Sequence, residues 1–576
     1  MADKIKGKGV IAGIAVGTIL LAGQNLDGYL VNYKPGKLDA EKKKAADALV
    51  KVAEALHKSI EDFNEKGLKE QAGILEAHRM MVEDPAMSGL IDEKIGESKS
   101  APKAVLDAYE TQAQVFEAME DEYFRGRAVD MRDVGKRIAK YLLGIKEPEI
   151  AGKVIVAGKE IEPSVIAGLP TDKIAGVILG AGSTTAHAVI IAKTRAIPTV
   201  VGVGDGISQF ADGDPAILDG ETGEILIRPS EEERKSYDEK IKKQEELKAH
   251  YAELKTKPAK TIDGVEVELV ANIGSPADAD AAIKNFGATG VGLFRSEFVF
   301  MGKTDVPKEE DQFKEYKAAV EKCAEVTHGE GLCVIRTMDI GGDKPLPYIQ
   351  VGEEENPFLG YRAIRISLQR RDLFLPQLKA ILRAGVYGKA AIMFPMVINV
   401  QEFLDAKKFV EDAKIELAHE GKDYSDNVQV GIMVETPAAA VMTPILAKYV
   451  DFFSIGTNDL VQYTLAVDRG NAQISYLYNH FNPAVLRLIK RTIESANKEG
   501  KWAGMCGEMA SDPNAAVLLL AMGIKELSMS APSIPRVKER IRNITSAQAK
   551  EILDTVMEME DGDKIKEYLS TLSQKS

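Results

Sequence analysis

Four arginines, Arg295, Arg336, Arg362 and Arg469, lie in the runs GVGLFRSE, GLCVIRTMDI, NPFLGYRAIR and VDRGN. The planar guanidinium fork matches the oxygens of phosphate and carboxylate groups. Glu435 in VQVGIMVETP and Asp459 in DFFSIGTNDL add two carboxylates at the ends of successive apolar runs. Two carboxylate oxygens, with the other positions left to water and ligand, suit Mg²⁺. Together these residues suit a small, highly anionic ligand that carries both phosphate and carboxylate and binds with a divalent metal. Taken singly, each arginine reads equally well as the partner of a local acid. Cys506 in WAGMCGEMA could be a small buried hydrophobe. Its place at a strand end beside Glu508 favours a catalytic role. Cys323 and Cys333 have no such setting and read as packing.

His187 is one of only seven histidines. It stands in GAGSTTAHAVIIAKTRAIPTVVG, where a loop of small residues turns into an apolar helical pattern. A helix N-terminus offers free N–H groups that stabilise an anion. A histidine there could carry a phosphoryl group whose oxygens meet those donors.

Positioning these residues requires a particular set of elements. From residue 261 onward, eight short strand-like runs alternate with helical stretches: VELVANI, GVGLFRSE, GLCVIRTMDI, AAIMFPMV, VQVGIMVETP, DFFSIGTNDL, WAGMCGEMA and ELSMS. That alternation over 261–576 fits a (β/α)₈ barrel. Asn272, Arg295, Glu297, Arg336, Asp339, Glu435, Asn458, Asp459, Cys506 and Glu508 all come at the C-terminal ends of the runs. Barrel enzymes build their sites on that face.

Residues 37–144 carry apolar residues at three- and four-residue spacing and read as a helical subdomain. They interrupt an α/β domain formed by 1–36 and 145–228. There KVIVAG, IAGVILG and PTVVGVG are strand-like, AILDGETGEILI reads as a hairpin, and GKGVIAGIAVG is expected to supply one strand. The charged stretch 229–257 reads as a solvated linker helix.

A length of 576 residues suggests roughly three or four folding units. The net charge of −14 argues against a general nucleic-acid binder. Three oddly spaced cysteines argue against a disulfide framework or structural zinc and for a reducing, cytoplasmic setting. The N-terminal MADKIKGKGVIAGIAVGTILLAG mimics a secretory signal but reads better as a buried strand broken by glycines. No other run reaches the roughly 18 apolar residues of a membrane span.

The motifs TMDIGGDKPLPY, NPFLGYRAIR, IMFPM, GIMVETPAAA, DFFSIGTNDLVQYTLAVDRGN and MCGEMASDP resemble those of enzyme I of the bacterial sugar phosphotransferase system, a phosphoenolpyruvate–protein phosphotransferase. The resemblance spans nearly the whole chain. It implies a multidomain α/β protein: a swivelling phosphohistidine domain with an inserted helical bundle that docks the carrier HPr, a linker helix, and a dimerising C-terminal barrel that binds phosphoenolpyruvate. It further implies that Arg295, Arg336, Arg362, Asn458 and Arg469 hold phosphoenolpyruvate, that Glu435 and Asp459 bind Mg²⁺, and that Cys506 protonates the enolpyruvate carbon. His187 matches the phosphoryl acceptor. The surroundings of that histidine depart from the family's GGRTSH pattern. Thr184 replaces its arginine, Ala186 its serine, Lys193 a later arginine and Glu162 a threonine. Two other readings stay open. One is a phosphoenolpyruvate-binding regulatory protein with weakened transfer. The other is a relative of pyruvate phosphate dikinase or phosphoenolpyruvate synthase lacking the nucleotide domain, for which there is no room before residue 145.

Overall fold

The computed structural model describes residues 3–573 apart from 23–25, 66–68, 120–121, 146–151, 162–164, 167–168, 170–172, 182–188, 190–191, 194, 196, 302, 304, 328, 343–345, 347, 350–351, 353 and 472. The chain divides into two compact units, Met1–Glu245 and Glu246–Ser576. The division falls inside one helix, Glu231–Leu254, in the stretch expected to be a linker helix.

In the first unit, the N-terminal residues give three strands rather than the single strand expected: β1 (Asp3–Lys6), β2 (Lys8–Ile11) and β3 (Ile14–Leu21). The glycines divide the run without removing it from the sheet. β2 pairs with β6 (Thr199–Val201), and β3 lies between β4 (Val154–Gly158) and β7 (Pro215–Asp219). With β5 (Ile174–Leu179) and β8 (Glu224–Ile227), they form an eight-stranded mixed sheet in the order β1-β8-β7-β3-β4-β5-β6-β2. The β7–β8 pair is the hairpin predicted around AILDGETGEILI. The apolar run at the N-terminus is thus strand, and no helix among the described residues is long and apolar enough to cross a membrane.

Between β3 and β4 come helices α1 (Asp27–Asn32), α2 (Leu38–Glu65), α3 (Lys69–Glu83), α4 (Pro85–Ser98), α5 (Ala101–Glu117) and α6 (Glu122–Leu142). Leu56, Leu75, Ile95, Val105, Tyr109 and Ile138 belong to one buried cluster, as the three- and four-residue spacing requires. Glu41 ties the start of α2 to α5. Its buried carboxylate accepts from Ala101 N at 3.0 Å, Gly36 N at 2.9 Å and Tyr33 Oη at 2.8 Å.

In the second unit every strand-like run becomes a strand: β9 (Glu268–Ile273), β10 (Val291–Arg295), β11 (Leu332–Arg336), β12 (Lys389–Phe394), β13 (Gln429–Val434), β14 (Phe452–Ile455), β15 (Trp502–Met505) and β16 (Glu526–Met529). All pair in parallel, and β16 returns to β9 to close the barrel. Both faces of each strand are covered, which is why the runs are almost continuously apolar rather than alternating. Two of the outer helices that flank the mouth start at side-chain caps. Ser275 forms a capping box with Asp278, and Thr436 Oγ1 accepts from Ala439 N at 3.1 Å.

Candidate active site at the barrel mouth

The closed barrel brings its strand ends together, and the sequence-predicted residues meet there. Arg295, Arg336, Arg362, Glu435, Asn458, Asp459, Arg469 and Cys506 all line one cavity of about 450 Å³. Arg295 and Arg336 end β10 and β11. Glu435 follows β13, and its position is fixed by the Thr436 cap and by Met396, whose N–H donates to Glu435 Oε1 at 2.6 Å. Asn458 and Asp459 sit in the first turn of the helix Thr457–Leu465, directly after β14. Asn458 Oδ1 accepts from Glu508 N at 2.9 Å, which pins the loop after Cys506. That loop has room for no side chain at Gly507, where a Cβ would stand 1.8 Å from Thr457 Oγ1.

Two of the four arginines pair with local acids. Arg336 pairs with Glu297 Oε1 at 2.5 Å and with Asp339 Oδ2 at 3.0 Å, while Arg362 pairs with Asp339 Oδ1 at 2.9 Å. These are local acids, yet the whole group is buried and lines the cavity, so each pair also faces the open space. Arg336 Nε is buried without a hydrogen-bond partner. Burial opposes its charge, but Glu297, Asp339 and Glu435 outweigh that and raise its pKa. Ala363, immediately after Arg362, has φ 53°, and Met396 has φ 59°. Left-handed backbone is costly for residues with a Cβ. Two such residues adjoin the groups that hold Arg362 and Glu435.

The pKa of Glu435 is raised to about 8 and that of Asp459 is raised from its ordinary value, each first by burial and then by the charge of Asp339. Crowded acids of this kind are stabilised by a cation. Among the described residues no group of three or more His, Cys, Asp or Glu is arranged as a metal cage. Two carboxylates beside an anion site are the donor set that Mg²⁺ uses when substrate and water complete its shell. The residues present fit that ion.

Cys506 is buried, and its Sγ donates to Ile455 O at 3.8 Å. Burial pushes the thiol up to about 11. All three cysteines are free thiols, and Cys323 and Cys333 are packed in the core as expected. A second cavity of about 1160 Å³ shares Arg295, Phe298, Asn458, Cys506 and Glu508 with the first. It extends toward Lys303, Lys308 and Lys314 and carries fewer of the converging charges.

His187 and its neighbours Thr184, Ala186 and Glu162 lie outside the described residues. Lys193 is described and exposed. Asp339, which joins two of the arginines, had only its strand-end position as a sequence signal.

The chain carries the domains of the phosphoenolpyruvate-utilising enzymes. Residues 248–546 match the family model described as the PEP-utilising enzyme PEP-binding domain, 6–127 its N-terminal domain and 150–223 its mobile domain. The phosphoenolpyruvate-protein phosphotransferase of Staphylococcus carnosus (strain TM300) is 42% identical over 98% of each chain. That of Staphylococcus epidermidis is 40% identical over the full length of both chains, and that of Priestia megaterium is 42% identical over 93% of this chain and 95% of its own. The chain belongs to the phosphoenolpyruvate-protein phosphotransferase family.

Proposed function

We propose that this enzyme transfers the phosphoryl group of phosphoenolpyruvate to its own His187 and from there to a histidine of a phosphocarrier protein, HPr, with release of pyruvate. The observation that carries this reading is the convergence on one cavity of the eight barrel residues singled out from the sequence. In this reading 1–36 and 145–228 form the phosphohistidine domain, 37–144 the carrier-docking bundle, 229–257 the linker and 261–576 the substrate-binding barrel. Exposed Val441, Ile445 and Tyr449 support a homodimer formed through the barrel.

Arg295, Arg336, Arg362 and Arg469 bind the phosphate and carboxylate oxygens of the substrate, and Asn458 orients it. The forks match those oxygens, and phosphoryl transfer depends chiefly on positioning and charge stabilisation. Glu435 and Asp459 would hold Mg²⁺, which when bound offsets charge on the transferring phosphoryl group. Transfer breaks the P–O bond and leaves the electron pair on the enolate oxygen. The Cys506 thiol then gives its proton to the CH₂ carbon, forming pyruvate. A thiol held protonated by burial is suited to that step.

The test is incubation with labelled phosphoenolpyruvate, Mg²⁺ and candidate HPr proteins. Label is expected on His187 first and then on the carrier. Tight phosphoenolpyruvate binding with no labelled protein would instead favour the regulatory reading.

A further inference from the structure

Glu526 opens β16, yet its carboxyl lies inside the barrel, with the residue only 3% exposed. Its Oε1 has no hydrogen-bond partner. Burying a carboxyl in this way is costly, so its place calls for a reason. Two glycines make room for it. A Cβ on Gly292 of β10 would come within 2.6 Å of Glu526 Oε1, and one on Gly504 of β15 within 3.0 Å. Gly504 is in register with Glu526 on one side and with Ser454 of β14 on the other. Alternate residues of a strand share a face, so Cys506 continues the inner face of Gly504. The slot left by Gly504 therefore has Ser454 and Glu526 as walls and Cys506 above it.

Ser454 Oγ is sealed from solvent and forms no well-aligned hydrogen bond. Ser454 is in register with Gly504, two residues before Cys506 on the same face, and its hydroxyl acts to lower the Cys506 pKa. Because the thiol proton points to Ile455 O, the sulfur lone pairs remain for a donor.

We propose that Ser454 and Glu526 are positioning residues for Cys506: the Ser454 hydroxyl donates to the sulfur, and the carboxyl beneath sets how readily the thiol gives up its proton. This rests on the reading of Cys506 as the proton donor. In that step the S–H bond breaks, a C–H bond forms on the enolpyruvate CH₂, and the sulfur keeps the electron pair. Water later returns a proton to the thiolate. The bond from Ser454 becomes charge-assisted once the sulfur is negative, so it strengthens as the proton leaves. An ionised Glu526 would have the opposite effect. Burial and the neighbouring Glu268 of β9 hold the Glu526 carboxyl up to about 8, so it is mostly neutral at neutral pH. The other charges facing Cys506 are Arg336, which favours the thiolate, and Glu435, which opposes it. Glu268 faces Glu266, Lys389 and Lys525.

The test reads the thiol directly in the full-length protein. Iodoacetamide labelling of Cys506 is followed by peptide mass spectrometry from pH 6 to 11, with the fully buried Cys323 and Cys333 as internal controls, and the midpoint is obtained from the labelling rate, which below it rises about tenfold per pH unit with the thiolate fraction. Ser454→Ala is expected to move the labelling midpoint up by roughly one pH unit, as for one lost hydrogen bond to a charged group. It should also lower turnover roughly tenfold with KM unchanged, and Ser454→Cys, a weaker donor, should fall between. Glu526→Gln should move the midpoint down and remove the loss of rate above about pH 8. Calorimetry with phosphoenolpyruvate verifies that each variant is folded. Unchanged midpoints in folded Ser454→Ala and Glu526→Gln would overturn the proposal even if Cys506→Ala is slow. Full turnover by Cys506→Ala would remove the donor reading, while the midpoints still judge whether these two residues govern the thiol.

Discussion

Asp339 meets Arg362 at 2.9 Å, and both side chains are almost wholly buried. The other oxygen of the same carboxylate meets Arg336 at 3.0 Å. Replacing it by the neutral amide in Asp339→Asn leaves two buried guanidiniums short of a counter-charge. Removing one partner of a buried pair costs roughly 3–5 kcal/mol. Urea unfolding monitored on the barrel is expected to show a loss of that order. A loss below about 0.5 kcal/mol, the range of an ordinary surface change, would mean that the arginines are held by other groups.

Glu526 should leave a signature in the pH dependence of stability. Its folded pKa of about 8 lies above the ordinary 4.5. Between those values the folded chain keeps a proton that the unfolded chain has lost, so stability falls as pH rises through that window. Glu526→Gln removes this contribution. The stability difference between variant and parent is expected to grow in the variant's favour from pH 5 to pH 9. A constant difference across that range would show that the carboxyl titrates normally.

Cys506→Ala should bind phosphoenolpyruvate like the parent and form pyruvate about 10²- to 10⁴-fold more slowly, the range for a lost general acid. Calorimetry and a pyruvate assay separate the two effects. Near-normal pyruvate formation would assign the proton to another group.

The departures around His187 predict a phosphoenzyme that is less stable than the family pattern would give. Thr184 offers only a hydroxyl where the pattern has a charged fork, and Glu162 adds negative charge. The double variant Thr184→Arg with Glu162→Thr is expected to raise phosphohistidine occupancy at a fixed ratio of phosphoenolpyruvate to pyruvate, with His187→Ala as the blank. One charge-assisted bond corresponds to about 1–2 kcal/mol. Equal or lower occupancy would show that the phosphoryl charge is already neutralised.

The barrel and its mouth were legible in the sequence because one rule served both. Short apolar runs had to be parallel strands, and the polar residue ending each run had to face the site. Glu526 escaped that rule because it begins its strand, and Ser454 because a lone serine inside DFFSIGT reads as filler. Only the register across Gly504 sets them side by side. Asp339 was visible as a strand-end acid, but its pairing with Arg362 depends on how the loop carrying Ala363 folds back. The first strands were undercounted because glycine-rich sequence reads as a single broken run, whereas separate hydrogen bonds to β6 and β7 make it distinct strands.

The sharing of Asp339 between two guanidiniums has a thermodynamic consequence. The same carboxylate raises Glu435 and Asp459, so the guanidiniums and the carboxylates proposed to hold substrate and Mg²⁺ share one electrostatic ledger. An anion that occupies the guanidiniums takes away positive charge that had offset the acids, and the acids then attract a cation more strongly. Linkage makes this reciprocal: whatever factor the substrate adds to the affinity for the metal, the metal adds to the affinity for the substrate. Mg²⁺ titrated alone should therefore bind weakly and substrate alone weakly, with the two together binding far more tightly than the product of their separate constants. Equal Mg²⁺ affinity with and without substrate would mean that the halves are independent. If they are coupled, loss of the phosphoryl group loosens the ion along with the product, and the site empties as a unit.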